Sequence, residues 1–127
     1  MLNLIILVFV GGALGATIRE YLMLATPHVS DGFPLDIFVA NIVASFLLGL
    51  VTALHTRKAV SDDVNTMVGT GIMGGLSTFS SFAYGSFVLM TASMASAAVA
   101  VLYVVISLLL GYIAVVVGLR LGGQRST

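Results

Sequence analysis

The stretch GIMGGLSTFSSFAYG, residues 71–85, lies inside the longest charge-free run of the chain. Paired glycines and clustered hydroxyls, with two phenylalanines among them, suit a lipid-facing helix poorly. From Val64 to Leu119 no side chain is charged. One membrane span takes about 20 apolar residues, so this run holds two, joined near TASMAS, residues 91–96. The first of the two, Val64 to Ala92, has Thr78 as its midpoint and carries Gly74, Gly75, Leu76, Ser77 and Thr78 to the bilayer centre. Non-helical backbone at that depth is tolerated only inside protein or beside a water-filled cavity. A break there frees carbonyls at the end of one half and N–H groups at the start of the other, the first suited to a cation and the second to an anion. Thr78 or Ser80 is placed to cap the second half. The alternative is that the glycines and hydroxyls let neighbouring helices approach closely.

Two further spans precede this one. Met1 to Ile18 is uncharged, and helix can continue to about Ala25 before TPHVSDGFP, residues 26–34. Pro27, the Asp31-Gly32 pair and Pro34 mark that stretch as a turn. Ile37 to Leu54 is the next apolar run, closed by HTRK, where Arg57 and Lys58 suit a helix C-terminus. Ser61 reads as the N-cap of the third span, with Asp62 and Asp63 in its first turn. The expected fold is an all-α membrane protein of four transmembrane helices, the third broken at its centre, forming one domain over residues 1–127. The N-terminus lacks the basic region of a secretory signal and reads as a retained span.

Composition supports the membrane class. The chain has 127 residues, 59% hydrophobic and 8% charged, with a mean hydropathy of +1.16; soluble domains are about a quarter charged. Zero net charge gives no reason to propose a nucleic-acid partner. The absence of cysteine excludes disulfides and thiolate chemistry. His28 and His55 fall in loops as solvated residues, and no metal-ligand spacing or catalytic constellation appears. With the N-terminus inside, Arg57, Lys58, Arg120 and Arg125 share one side and Arg19 lies on the other, an imbalance that favours one orientation.

Polar positions on the other spans fall at the same depth. Asn41, Ser45 and Gly49 recur every four residues on the second span, as do Tyr103, Ser107 and Gly111 on the fourth. Asn41 carries an amide that is expensive to leave unpaired in hydrocarbon, and it reads either as interhelical glue or as a donor at a site. Gly11, Gly12, Gly15 and Ala16 on the first span read as a packing surface. Phe79 and Phe82, three apart, share a helix face; their positive ring edges suit an anion, and packing is the plainer reading. Arg19, near the end of the first span, is a site candidate or an interfacial anchor, and Glu20 a surface or paired residue.

Three segments together resemble the Fluc (CrcB) family of fluoride channels: GGALGATIRE in the first span, VANIVASFLLG in the second and GTGIMGGLSTFSSF in the third. The resemblance covers the whole chain, with the motifs in order. It implies a dual-topology homodimer of two antiparallel subunits in membrane lipid, two fluoride pores and a structural sodium ion on the two-fold axis. By match to the motifs, Phe79 and Phe82 line the pore, Asn41 is its asparagine and Ser80 a hydroxyl beside the fluoride path. Tyr103 and Ser107 resemble the polar track of the fourth helix, Arg19 the vestibule arginine, and the Gly74 and Ser77 carbonyls the sodium ligands. Gly85 stands where many members carry glutamate, and Gly111 where some continue the hydroxyl track.

The expected function is passive fluoride export across a bacterial inner membrane, protecting the cell from fluoride, without enzymatic activity. No carboxylate sits at mid-span to carry protons. A small four-helix multidrug exporter is the rival class. It needs a buried titratable acid, whereas the centre of the first span reads VFVGGALGA. A non-conducting membrane scaffold is the third.

Overall fold

In the computed structural model, which describes residues 2–26 and 33–124, four helical spans are long and apolar enough to cross a membrane. Met1, Pro27, His28, Asp31, Gly32 and Arg125 lie outside the described residues. The first span is α1 (Leu2–Ala25) and the second is α2 (Leu35–Thr56). The third is composite: α3 (Asp62–Asn65), a π-helical stretch (Thr66–Ile72), α4 (Met73–Leu76), then α5 (Phe79–Ala92) beyond the break. The fourth is α6 (Met94–Gly123).

Local chemistry sets the helix ends. The Ser61 hydroxyl accepts from the Val64 N–H at 3.3 Å, as expected of an N-cap. α2 ends differently from the sequence expectation. Lys58 takes φ 58°, the Lys58 N–H donates to the His55 carbonyl at 2.8 Å, and the Ala59 N–H to the Leu54 carbonyl at 2.9 Å. This is a Schellman motif with lysine in the left-handed position that glycine usually takes. Arg57, expected to serve its own helix, reaches another: its guanidinium donates to the Gly122 carbonyl at 2.8 Å and to that of Gln124. It therefore closes the C-terminus of α6, where a cation is favoured.

Glycine decides which spans touch. A Cβ on Gly15 would overlap the Ile72 carbonyl, and one on Gly75 the Gly12 carbonyl, so the first span lies backbone to backbone against the first half of the third. The packing reading of the first-span glycines holds at Gly11 and Gly15, while Gly12 faces open space on its Cβ side. Gly49 abuts Val115, and Gly118 abuts Phe46, which joins the second and fourth spans in the same way. In both pairs the residues rise together, so each pair runs parallel. Arg57, Lys58 and Arg120 consequently share one end of the bundle with Asp62 and Asp63, and Arg19 lies towards the other.

Two small cores result. Ala44, Met73 and Leu76 pack with Leu22, Leu47, Val68 and Ile72 on one side of the break. Leu89, Ala100 and Tyr103 pack with Phe33, Phe38 and Phe82 on the other. Phe9, Leu24 and Tyr112 are among many large apolar side chains exposed on the outer surface, a distribution that suits lipid rather than water.

Candidate functional site

α4 stops at Leu76 because the next two residues leave helical geometry. Ser77 has φ −76° and ψ 146°, and Thr78 has φ −143° and ψ 107°. A continuous helix would close the Thr78 N–H onto the Gly74 carbonyl and the Ser81 N–H onto that of Ser77. Neither bond forms. The Thr78 N–H donates to Asn41 Oδ1 at 2.8 Å, and the Ser81 N–H to Thr78 Oγ1 at 3.2 Å. Of the two capping residues the sequence offered, Thr78 takes the role. The third span therefore breaks at its centre, and a side chain of the second span takes the N–H the break frees.

Asn41 is engaged at both ends. Its Nδ2 lies 3.5 Å from the Thr78 carbonyl, the limit of a hydrogen bond, and its own carbonyl accepts from the Ser45 hydroxyl at 2.7 Å. The polar stripe on the second span therefore divides. Asn41 serves the break, Ser45 returns to its own helix, and Gly49 packs on α6.

Beside the break lies a cavity of about 210 Å³ lined by Asn41, Ser77, Thr78, Phe79, Phe82, Ser107 and Leu108. Four of the residues expected along the fluoride path meet here, Asn41, Phe79, Phe82 and Ser107, together with Ser77 of the expected sodium set and the capping Thr78. The Phe79 and Phe82 ring centroids are 6.2 Å apart and tilted by 38°. Phe82 continues onto Tyr103, centroid to centroid 5.3 Å, and Tyr103 is fully buried. Phe33 meets the Tyr103 ring edge-on at 5.2 Å and Phe38 sits 6.4 Å from it. The Tyr103 and Ser107 hydroxyls are buried without a hydrogen-bond partner among the described residues. Natural interiors rarely leave such groups unpaired, so an unpaired pair on one helix face calls for a ligand or water.

Ser80 is not part of that lining; its hydroxyl lies 3.2 Å from Thr78 Oγ1. Arg19 is partly buried on α1 and lines neither this cavity nor the next. Gly85 is packed: a Cβ there would press on the Pro34 ring at 3.2 Å. Gly111 faces the Ser45 hydroxyl, which stands 3.7 Å from where its Cβ would be.

A second cavity, about 220 Å³, opens on another side of the break and is lined by Ala44, Ser45, Leu48, Gly69, Met73, Gly74 and Ser77. Ser77 belongs to both. Gly74 and Ser77 are exposed, a Cβ on Gly74 meets nothing within 4 Å, and their carbonyls have lost the helical donors described above. Exposed neutral carbonyl oxygens fit a hard monovalent cation. Among the described residues no three His, Cys, Asp or Glu side chains converge, so backbone oxygens are the donors this region offers.

Sequence reasoning missed three features here. The π-helical stretch leads into the break, and nothing in its composition beyond Gly69 and Gly71 marks it. The Asn41–Thr78 clasp joins residues 37 apart in sequence, beyond any local pattern. Phe33 and Phe38 sit at the start of the second span, where aromatic residues are commonplace, and only the fold brings them onto Tyr103.

Four membrane-length helices, one interrupted at mid-length between two small cavities, make this a multi-pass membrane protein. Residues 6–119 match the family described as CrcB-like protein, Camphor Resistance (CrcB), and the chain belongs to that family. It is 60% identical over 126 residues to fluoride-specific ion channel FluC 1 of Brucella abortus, covering 99% of this chain and 47% of that one. It is 57% identical over 125 residues to FluC 3 of Yersinia pseudotuberculosis, covering 98% and 92%. It is 40% identical over 111 residues to fluoride-specific ion channel FluC of Ignicoccus hospitalis, covering 87% and 88%. The chain thus spans about half the length of the Brucella relative and nearly all of the Yersinia one. These relatives carry the name of a channel, not of an enzyme.

Proposed function

We propose that this chain is the subunit of a fluoride channel that lets the ion leave the cell passively. One observation carries the reading: Asn41, Phe79, Phe82 and Ser107 meet in one cavity at the break, with the Tyr103 and Ser107 hydroxyls buried and unpaired. Fluoride is small and strongly hydrated, so a pore has to replace its water with donors without holding it too tightly. The Asn41 amide and the hydroxyls of Ser80, Tyr103 and Ser107 are such donors, and Phe79 and Phe82 supply positive ring edges. Among the described residues no carboxylate lines the cavity, which favours conduction over proton coupling. Glu20 is exposed on α1, outside the buried position a multidrug exporter requires of its acid.

The working unit in this proposal is an antiparallel homodimer with both insertion orientations, in the inner membrane of a bacterium. In one chain Phe79 is 79% exposed, and Gly74 and Ser77 are open beside it. A second copy would cover them and bring four carbonyls to the two-fold axis, enough oxygen donors for a sodium ion. Such an ion, when bound, supplies positive charge at the depth of the anion path. Arg19 in this arrangement serves the vestibule, drawing anions towards the entrance.

The test is efflux from liposomes containing the purified chain, followed with a fluoride electrode, with chloride and a cationic drug as controls. Rapid loss of fluoride with retention of chloride is expected. Liposomes that hold fluoride, or that exchange the drug for protons, would overturn the proposal. Replacing external and internal sodium by a large organic cation is expected to shift the protein towards monomer on size-exclusion chromatography.

A further inference from the structure

We infer that Thr78, which no motif assigned to the ion path, is the positioning residue for its hydroxyl donors, a role that rests on the channel reading above. Thr78 is 6% exposed, the buried polar side chain of the described core. One hydroxyl has one proton and two lone pairs, and here all three are committed. Thr78 Oγ1 donates to the Ser81 hydroxyl at 3.1 Å and accepts from the Ser81 N–H at 3.2 Å. That leaves one lone pair for Ser80, whose hydroxyl at 3.2 Å must then be the donor.

Proton placement follows from that assignment. Ser81, accepting from Thr78, keeps its own O–H free to donate elsewhere. Ser80 rests its O–H on Thr78 and can turn it to a passing anion, leaving behind a lone pair and no broken backbone bond. The backbone of Thr78 is itself clasped by Asn41. One residue thus fixes the positions of two serine oxygens and the seat of the asparagine, so only an O–H rotation is left when an ion arrives. Donor atoms already in place discriminate between ions because their spacing does not adapt to one that fits poorly.

A purely structural Thr78 would do no more than cap α5, and the variants separate the two roles. Thr78→Asn keeps a capping oxygen for the Ser81 N–H but cannot reproduce the three-way hydroxyl. Fluoride and chloride efflux from liposomes, with dimer content by size exclusion, are the readouts. Thr78→Asn is expected to fold and dimerise yet lose about tenfold in fluoride flux and in preference over chloride, whereas Thr78→Ser retains both. In a Ser80→Ala, Ser81→Ala background the Thr78→Asn change is expected to add no further loss, because its effect runs through those serines. Full flux and preference in Thr78→Asn, equal losses in Thr78→Ser, or losses that multiply with the serine changes would overturn the inference. Wild-type liposomes that pass no fluoride would overturn the channel reading and this role together, while a conducting wild type with indifferent Thr78 variants overturns this role alone.

Discussion

Asn41 clasps Thr78 across two spans, its Oδ1 taking the peptide N–H at 2.8 Å and its Nδ2 lying 3.5 Å from the carbonyl. The side chain substitutes for the helical partner the break removes, and its second amide hydrogen stays available. In the proposed channel, structure and ion path would therefore draw on different atoms of one residue. Asn41→Asp keeps the acceptor and deletes the donor, so it should stay folded and lose at least about tenfold in fluoride efflux. Asn41→Leu also strands the Thr78 N–H, and should lower stability by about 1–3 kcal/mol in thermal unfolding in detergent.

Tyr103 and Ser107 invite the opposite expectation. Their hydroxyls have no partner among the described residues of the single chain, so removing them relieves an unsatisfied group. Tyr103→Phe should leave the unfolding temperature unchanged or raise it, and should reduce fluoride flux. A fall in both would assign the hydroxyl a structural partner instead.

The two rings of the proposed pore should separate in the same pair of assays. Phe79 is largely exposed in the single chain, whereas Phe82 packs against Tyr103 within the buried aromatic cluster. Isoleucine at either position should abolish flux with the dimer intact. Only Phe82→Ile should also cost about 1 kcal/mol of stability, through the lost ring contact.

Helix contacts make a contrast within one segment. Gly15→Ala drives a methyl into the Ile72 carbonyl and should destabilise the protein by about 1–3 kcal/mol. Gly12→Ala, three residues earlier, meets nothing within 4 Å and should fall within about 0.5 kcal/mol of the parent.

At the end of α2, Lys58 occupies a left-handed conformation. Lys58→Gly should raise stability by a few tenths to about 1 kcal/mol, since glycine takes that conformation without the Cβ clash. Fluoride efflux should not change.

Much of this architecture is legible in the chain itself because membrane physics leaves few choices. Apolar run length gives the spans, Ser61 and Thr78 announce helix starts, and a cluster of small polar residues at mid-span announces the interruption. Partner choice is less legible. The spacing of Asn41, Ser45 and Gly49 predicts a common face, but those three residues meet a peptide, their own helix and α6 respectively. Arg57 looks like the terminus of its own helix, and only the parallel pairing of the second and fourth spans takes it to Gly122. Lys58 in a left-handed turn goes against residue preference, so no local rule finds it. Within the site, residue types selected Asn41, Phe79, Phe82 and Ser107, while Thr78 stayed hidden because a capping threonine and a positioning threonine look alike in one dimension.

The glycine contacts divide the bundle into two plates. The first span is fastened to the π-helical stretch and α4, the second span to α6, and α5 leans on α6 as well. The third span therefore begins on one plate and finishes on the other, crossing between them at Ser77 and Thr78. Any sliding of plate against plate would be absorbed by those two peptide units. Since Ser77 borders both hollows, such a slip would reshape the two of them in a single stroke.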